Sequence, residues 1–125
     1  MKSISPNIFV QDIDETIKFY EKIGFELTTT VPDEGEIVWA MMTNGKVTFM
    51  FQTFDSLKNE LPEISRNNGG SLLLYIEVEN IEKLFDRLKD EVEIIKDLEK
   101  AFYGAMEFSI KDINNYVLTF AENEK

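Results

Sequence analysis

Hydrophobic and polar positions along this chain fall into short blocks whose period switches from two residues to between three and four, and back. In ISPNIFVQ, residues 4–11, Ile4, Ile8 and Val10 share one parity, the pattern of a half-buried strand. Pro6 has no amide to donate, so this strand starts late or lies at a sheet edge. DIDETIKFYEKIG, residues 12–24, then places Ile13, Ile17 and Tyr20 at helical spacing. Asp12 stands where a capping side chain belongs, Glu15 follows three residues later, and Gly24 can end the helix in a left-handed conformation. FELTTTV, IVWAMMT and KVTFMFQTF read as three strands, separated by the turn PDEGE and by Asn44-Gly45. Asn-Gly between apolar runs predicts a two-residue hairpin turn, which needs positive φ. The first half therefore reads βαβββ.

DSLKNELPEISRNNGGS, residues 55–71, breaks the pattern and predicts a short helix around Leu57 to Leu61, then a flexible connector. From Leu72 the order repeats. LLLYIEV is a strand, and NIEKLFDRLKD is a helix capped by Asn80, with Ile81, Leu84, Phe85 and Leu88 at i, i+3, i+4 and i+7. EVEIIK, AMEFSIKD and YVLTFAE supply three further strands. The expected caps Asp12 and Asn80 are 80 − 12 = 68 residues apart, and the hairpin residues Asn44 and Asn114 are 114 − 44 = 70 apart. Two landmarks at nearly one offset argue for an internal duplication. The predicted class is α+β, one domain over 1–125 with modules at about 1–54 and 71–125 and a linker at about 55–70.

Composition narrows the function. A chain of 125 residues suffices for one domain that buries about two-thirds of its unfolded surface, and 43% hydrophobic residues against 30% charged is a globular balance. The net charge of −11 repels phosphate backbones and anionic lipids, so neither nucleic acid nor a membrane is an expected partner. Most of that charge reads as solvated surface, but a field of this sign favours cationic ligands. With no cysteine and no histidine, disulfides, thiolate zinc sites and Ser-His or Cys-His nucleophile pairs cannot form. Acid-base work would fall to a buried carboxylate, for which Glu107 is the candidate, while NNGGS lacks the spacing of a phosphate loop. MKSISPNIFVQD has no apolar stretch of the signal-peptide kind, and no run approaches the ~20 apolar residues of a membrane span. The expected location is cytoplasmic.

Two stretches, VQDIDETIKFYEKIGFEL at 10–27 and YGAMEFSIKDINNYVLTF at 103–120, resemble the opening and closing motifs of the vicinal oxygen chelate superfamily. That superfamily includes glyoxalase I, fosfomycin-resistance enzymes, ring-cleaving dioxygenases and bleomycin-resistance proteins. The resemblance implies two βαβββ modules forming incomplete barrels around a cleft, commonly in a homodimer. In the enzymes a divalent metal sits in the cleft on side chains of the first and last strand of each module. The matching positions here are Ser5, Leu73, Phe49 and Thr119, none of them a good ligand. No metal and no other cofactor is therefore expected.

Without a metal, such a cleft can still bind by contact area and stacking. Trp39, Phe49, Phe51, Tyr75, Phe102 and Tyr103 lie on or beside the strands that would line it. Each flat side chain can bury ~150–250 Å² and stack on planar or cationic groups. Alternation sends half of these to the helix-covered face, and Phe51 and Phe102 are equally well placed for packing. Trp39 and Tyr103 are the better ligand contacts, with Gly104 suited to close backbone approach. The candidate ligand-binding set is Trp39, Phe49, Tyr75, Tyr103, Glu107 and Thr119. The resemblance is nearest in character to the metal-free bleomycin-resistance branch. It implies a homodimeric protein that binds a small-molecule ligand and sequesters a planar or cationic compound, in the manner of antibiotic resistance, rather than an enzyme. A glyoxalase-type lyase or isomerase with atypical metal ligands, and a regulatory partner-binding module without ligand, are the alternatives.

Overall fold

The switches of period become two runs of strand, helix and three strands in the computed structural model, which describes residues 1–124. The chain divides into two compact units, Met1–Asn68 and a second beginning at Gly69. The first unit contains β1 (Asn7–Val10), α1 (Ile13–Lys22), β2 (Glu26–Val31), β3 (Trp39–Asn44), β4 (Val47–Thr53) and a short α2 (Phe54–Leu57). The second contains β5 (Leu73–Glu77), α3 (Ile81–Leu88), β6 (Glu93–Lys100), β7 (Met106–Lys111) and β8 (Val117–Glu122). Strand order is β1-β4-β3-β2 in one sheet and β5-β8-β7-β6 in the other. In both, the first and last strands of the unit pair in parallel and the remaining neighbours are antiparallel. Neither sheet closes on itself, which agrees with an α+β fold of two incomplete barrels. Among the described residues no helix is long and apolar enough to cross a membrane.

The start of α1 follows the expected capping logic. Asp12 Oδ1 accepts the Glu15 amide at 3.0 Å, and Gly24 ends the helix at φ 111°. Its inner face carries Ile13, Ile17 and Tyr20 into the core. Tyr20 is wholly buried, 4.7 Å from Phe51 and 5.8 Å from Phe49 between ring centroids, and Phe25 stacks on Phe49 at 5.1 Å. In β4 the buried positions are thus Phe49 and Phe51, under α1, while Met50 and Gln52 point the other way.

Three local expectations require correction. The helix α3 is not capped by the Asn80 side chain, because Asn80 sits at φ 55° where a capping residue needs an extended backbone. The Glu122 carboxylate at the end of β8 does this instead, accepting the Asn80 amide at 3.0 Å and the Ile81 amide at 3.1 Å. The first hairpin turns on Gly45-Lys46, since Asn44 pairs with Val47, and only Gly45 has positive φ, 58°. After β4 the helix starts earlier than predicted, at Phe54 behind a Thr53 cap, and ends where Lys58 turns left-handed. In the stretch that follows, one side chain gathers several carbonyls. The Arg66 guanidinium donates to the carbonyls of Lys58, Glu60, Leu61 and Ile64 at 2.7–3.4 Å.

Candidate functional site

In the second unit, β7 reads MEFSIK and alternates cleanly. Phe108 and Ile110 go to the α3 side, where Phe85 meets Phe108 edge-on at 5.1 Å. Glu107 and Ser109 therefore share the opposite face of the sheet. Cross-strand register completes that face. Tyr75 on β5 lies beside Thr119 on β8, Thr119 beside Ser109 on β7, and Ser109 beside Lys96 on β6. A polar row thus crosses the four strands, with Glu107 one step along β7 from it.

Lys96 reaches this row through an irregularity. Ile94 pairs with Ile110, but the next pairing is Lys96 with Ser109, so Ile95 is the extra residue of a β-bulge and is exposed. One inserted residue reverses the face onto which the following side chains point.

Glu107 is 8% exposed, and its Oε2 accepts hydrogen bonds from the hydroxyls of Tyr75, at 2.5 Å, and Tyr103. Oε1 has no hydrogen-bond partner among the described residues and is not sealed from solvent. Burial works to raise the carboxyl's pKa. The bonds from Tyr103 and Tyr75 and the charge of Lys96 outweigh it and hold the group below its ordinary 4.5. Glu107 is thus an anion at neutral pH. Both phenols are pushed above their ordinary 10.0, chiefly because each donates its proton to Glu107, so they remain donors. Their rings are largely open, Tyr75 at 51% and Tyr103 at 56% exposure. Phe102 is fully exposed and packs edge-on against Tyr103 at 5.0 Å. Deeper in the same face, Ser109 Oγ and Thr119 Oγ1 form a buried hydroxyl pair at 2.8 Å.

Of the residues expected from the sequence, the second unit brings together Tyr75, Tyr103, Glu107 and Thr119 on one side of its sheet. Trp39 lies in the first unit, half-buried, in register with Gln52 on the face opposite α1. Phe49 is a correction. It is 3% exposed among Tyr20, Phe25 and Phe51, because β4 alternates so as to send it under α1. Ser109 and Lys96 went unread. Ser109 is two residues beyond Glu107 on the same strand and follows from parity alone, whereas the bulge hides Lys96.

The donor set does not fit the divalent ion of the enzymes named above. Leu73 and Phe49 have no donor atom, the Thr119 hydroxyl is engaged with Ser109, and among the described residues no three His, Cys, Asp or Glu side chains converge.

Residues 3–120 match the family described as the Glyoxalase/Bleomycin resistance protein/Dioxygenase superfamily. Several solved structures share the fold. TioX from Micromonospora sp. ML1 has a TM-score of 0.79 at 18% identity, covering 99% of this chain and 100% of its own. A bleomycin resistance determinant encoded on transposon Tn5 has a TM-score of 0.72 at 18% identity over 100% of both chains. A bleomycin-binding protein solved with bleomycin has a TM-score of 0.70 at 18% identity, over 99% and 100%. At such identities the likeness is one of fold. No curated protein matches the sequence.

Proposed function

We propose that this chain, which belongs to the glyoxalase/bleomycin resistance protein/dioxygenase superfamily, is a metal-free small-molecule-binding protein that takes a planar cationic compound onto the sheet of its second unit. One observation carries the reading. Glu107 is an ionised carboxylate more than nine-tenths buried, with Oε2 held by two phenols and Oε1 unpartnered among the described residues. Burying a charge is costly unless it is paired, and the tyrosines meet only part of this anion's demand. An ammonium, amidinium or guanidinium donor meets the rest with a charge-assisted bond.

The rings around the carboxylate specify the other half of the ligand. Tyr75, Tyr103 and Phe102 expose flat faces beside Glu107, and a cation over such a face gains about 0.5–2 kcal/mol. The net charge of −11 concentrates cations around the whole molecule. The bleomycin-binding protein of similar fold was solved holding bleomycin. We assign a small-molecule-binding role here, sequestration of a compound by a homodimer, with Tyr75, Tyr103 and Glu107 of the second unit as contacts and Phe49 excluded.

Titration of the full chain with acriflavine, a planar cation, followed by fluorescence and calorimetry, tests this. Saturable binding is expected, weakened about tenfold or more by Glu107→Gln, which keeps an acceptor for the tyrosines but removes the charge. Equal affinity in the variant, or no saturable binding to the parent chain, overturns the proposal.

A further inference from the structure

The connector NNGGS, residues 67–71, belongs to neither sheet, and it contains one of the two places where an asparagine precedes a glycine. These are Asn44-Gly45 and Asn68-Gly69, whereas every other asparagine precedes a residue with a side chain. The distinction is chemical. The amide nitrogen that follows an asparagine can attack that residue's side-chain carbonyl, and the approach is least obstructed where the attacking residue has no Cβ.

The two pairs differ in what holds them. Asn44 is kept in the β3–β4 ladder opposite Val47, and its Nδ2 donates to the Gly24 carbonyl at 3.1 Å. To cyclise, it must leave its strand and free its leaving group from that bond. Asn68 is exposed and lies outside every helix and strand. Neither its side chain nor the Gly69 amide has a hydrogen-bond partner among the described residues, so no bond has to break before cyclisation begins. The polar side chains just before it are occupied among themselves and with the main chain, since Asn67 Nδ2 donates to Ser65 Oγ at 3.0 Å and Arg66 to carbonyls.

We propose that Asn68 is a site of self-modification, converting in water to aspartate and isoaspartate, while Asn44 is protected. The Gly69 nitrogen loses its proton and bonds to Asn68 Cγ, the Cγ–Nδ2 bond breaks, and the departing nitrogen takes up a proton and leaves as ammonia. A five-membered imide remains. Water then adds to one of its two carbonyls and opens the ring, at the side-chain carbonyl to give aspartate and at the main-chain carbonyl to give isoaspartate. No oxidation or reduction is involved. Either product adds a negative charge to a chain already at −11, and isoaspartate also lengthens the main chain by one methylene. The added atom falls in the stretch that joins the two units along the chain, directly before Gly69. Gly69 sits at φ 84°, so close to the Asn115 carbonyl oxygen that a Cβ there would come within 2.8 Å. Contact that tight does not absorb a displaced backbone, so isoaspartate disturbs Asn115 and aspartate does not.

The test is tryptic mapping by mass spectrometry of the full chain incubated at mildly alkaline pH, once folded and once in urea. Peptides Asn67–Lys83 and Ile23–Lys46 report Asn68 and Asn44 separately, and fragment-ion sequencing assigns each gain of one mass unit to its residue. In the folded chain Asn68 should convert about tenfold or more faster than Asn44, which reacts only through local opening of its hairpin. In urea the two rates should converge. Asn68→Gln, whose ring would be one atom larger, should suppress the gain in peptide Asn67–Lys83. In the aged parent chain a second Asn115 amide signal should appear by NMR in proportion to isoaspartate, and Asn68→Asp should not reproduce it. No conversion at Asn68 in the folded chain, conversion of Asn44 as fast as that of Asn68, or a rate difference that persists in urea would each overturn the proposal. An Asn115 signal unmoved by isoaspartate overturns the consequence assigned to Gly69.

Discussion

Replacing Glu122 by alanine should destabilise the second unit at the start of α3. Its carboxylate accepts two amides, Asn80 at 3.0 Å and Ile81 at 3.1 Å, which a helix cannot satisfy internally. Loss of a side-chain cap costs about 1 kcal/mol, and removing a negative charge from the positive end of the helix adds about 0.3–1 kcal/mol. A second amide released from its acceptor brings the expected total to about 1.5–3 kcal/mol. For a chain of 125 residues this lowers Tm by roughly 5–12 °C. Glu122→Gln retains one acceptor oxygen and should lose about half as much. Thermal and urea unfolding followed by circular dichroism gives the stability, and hydrogen exchange at the Asn80 and Ile81 amides locates the change. Asn80→Gly serves as the contrast. If Asn80 were the cap this variant would lose stability, but at φ 55° glycine is expected to be neutral or stabilising. A Glu122→Ala variant that loses less than about 0.5 kcal/mol, or whose two amides exchange no faster, refutes the capping assignment.

The other predictions concern the closing turn, the carboxylate and two glycines. Asp112 is 3% exposed and accepts the amides of Asn114 at 2.8 Å and Tyr116 at 2.9 Å, so Asp112→Ala should cost about 2–4 kcal/mol in urea unfolding, and a loss below about 1 kcal/mol would count against the turn's role. Because the pKa of Glu107 is depressed in the folded chain, its contribution to stability is present above the ordinary 4.5 and is lost as pH falls through the folded value. A ¹³C carboxyl titration should accordingly give a midpoint below 4.5, raised in Tyr103→Phe, and a midpoint at or above 4.5 in the parent chain contradicts the tyrosine bonding. Gly69→Ala combines φ 84° with a Cβ only 2.8 Å from the Asn115 carbonyl oxygen and should cost about 2–5 kcal/mol. In Gly104→Ala, at φ 101°, the Cβ meets only the movable end of Glu124, so about 1–2 kcal/mol is expected, and equal Tm losses in the two variants would show that backbone contact is not what distinguishes them.

The elements were readable wherever the deciding interactions are local. Asp12 caps α1 through an amide three residues away, and the 3.6-residue spacing of Ile13, Ile17 and Tyr20 is a property of the helix itself. The repeat of βαβββ was likewise visible, because each unit restates the same succession of periods. The cap of α3 was not. Its acceptor lies 42 residues along the chain from Asn80 and reaches the helix only because β8 pairs with β5. No local rule contains that pairing. The first hairpin shows a smaller version of the same limit, for Asn44 suits a turn by composition but is kept in the ladder by its partner Val47 and donates its amide to the Gly24 carbonyl at 3.1 Å.

The candidate site divides along the same line. Tyr75, Glu107 and Thr119 share a face because β5, β7 and β8 are regular, so one face assignment carries along each strand, whereas Tyr103 lies in the turn between β6 and β7 and is marked in the sequence only by its place before Gly104. Phe49 was misassigned because β4 is apolar at Phe49, Met50 and Phe51 alike, and only packing against Tyr20 decides which parity faces α1. Lys96 was hidden because the bulge at Ile95 reverses the side from which it projects. That irregularity matters chemically. Burial alone pushes the Glu107 carboxyl toward its neutral form, and Lys96 is one of three groups that reverse the balance, beside Tyr103 and Tyr75. The ionised state on which the proposed cation binding depends is therefore set partly by a residue that strand periodicity assigns to the wrong face. Periodic reading recovers the scaffold because scaffolds are regular, and it loses the charge balance of the site where the strand departs from regularity to aim a side chain.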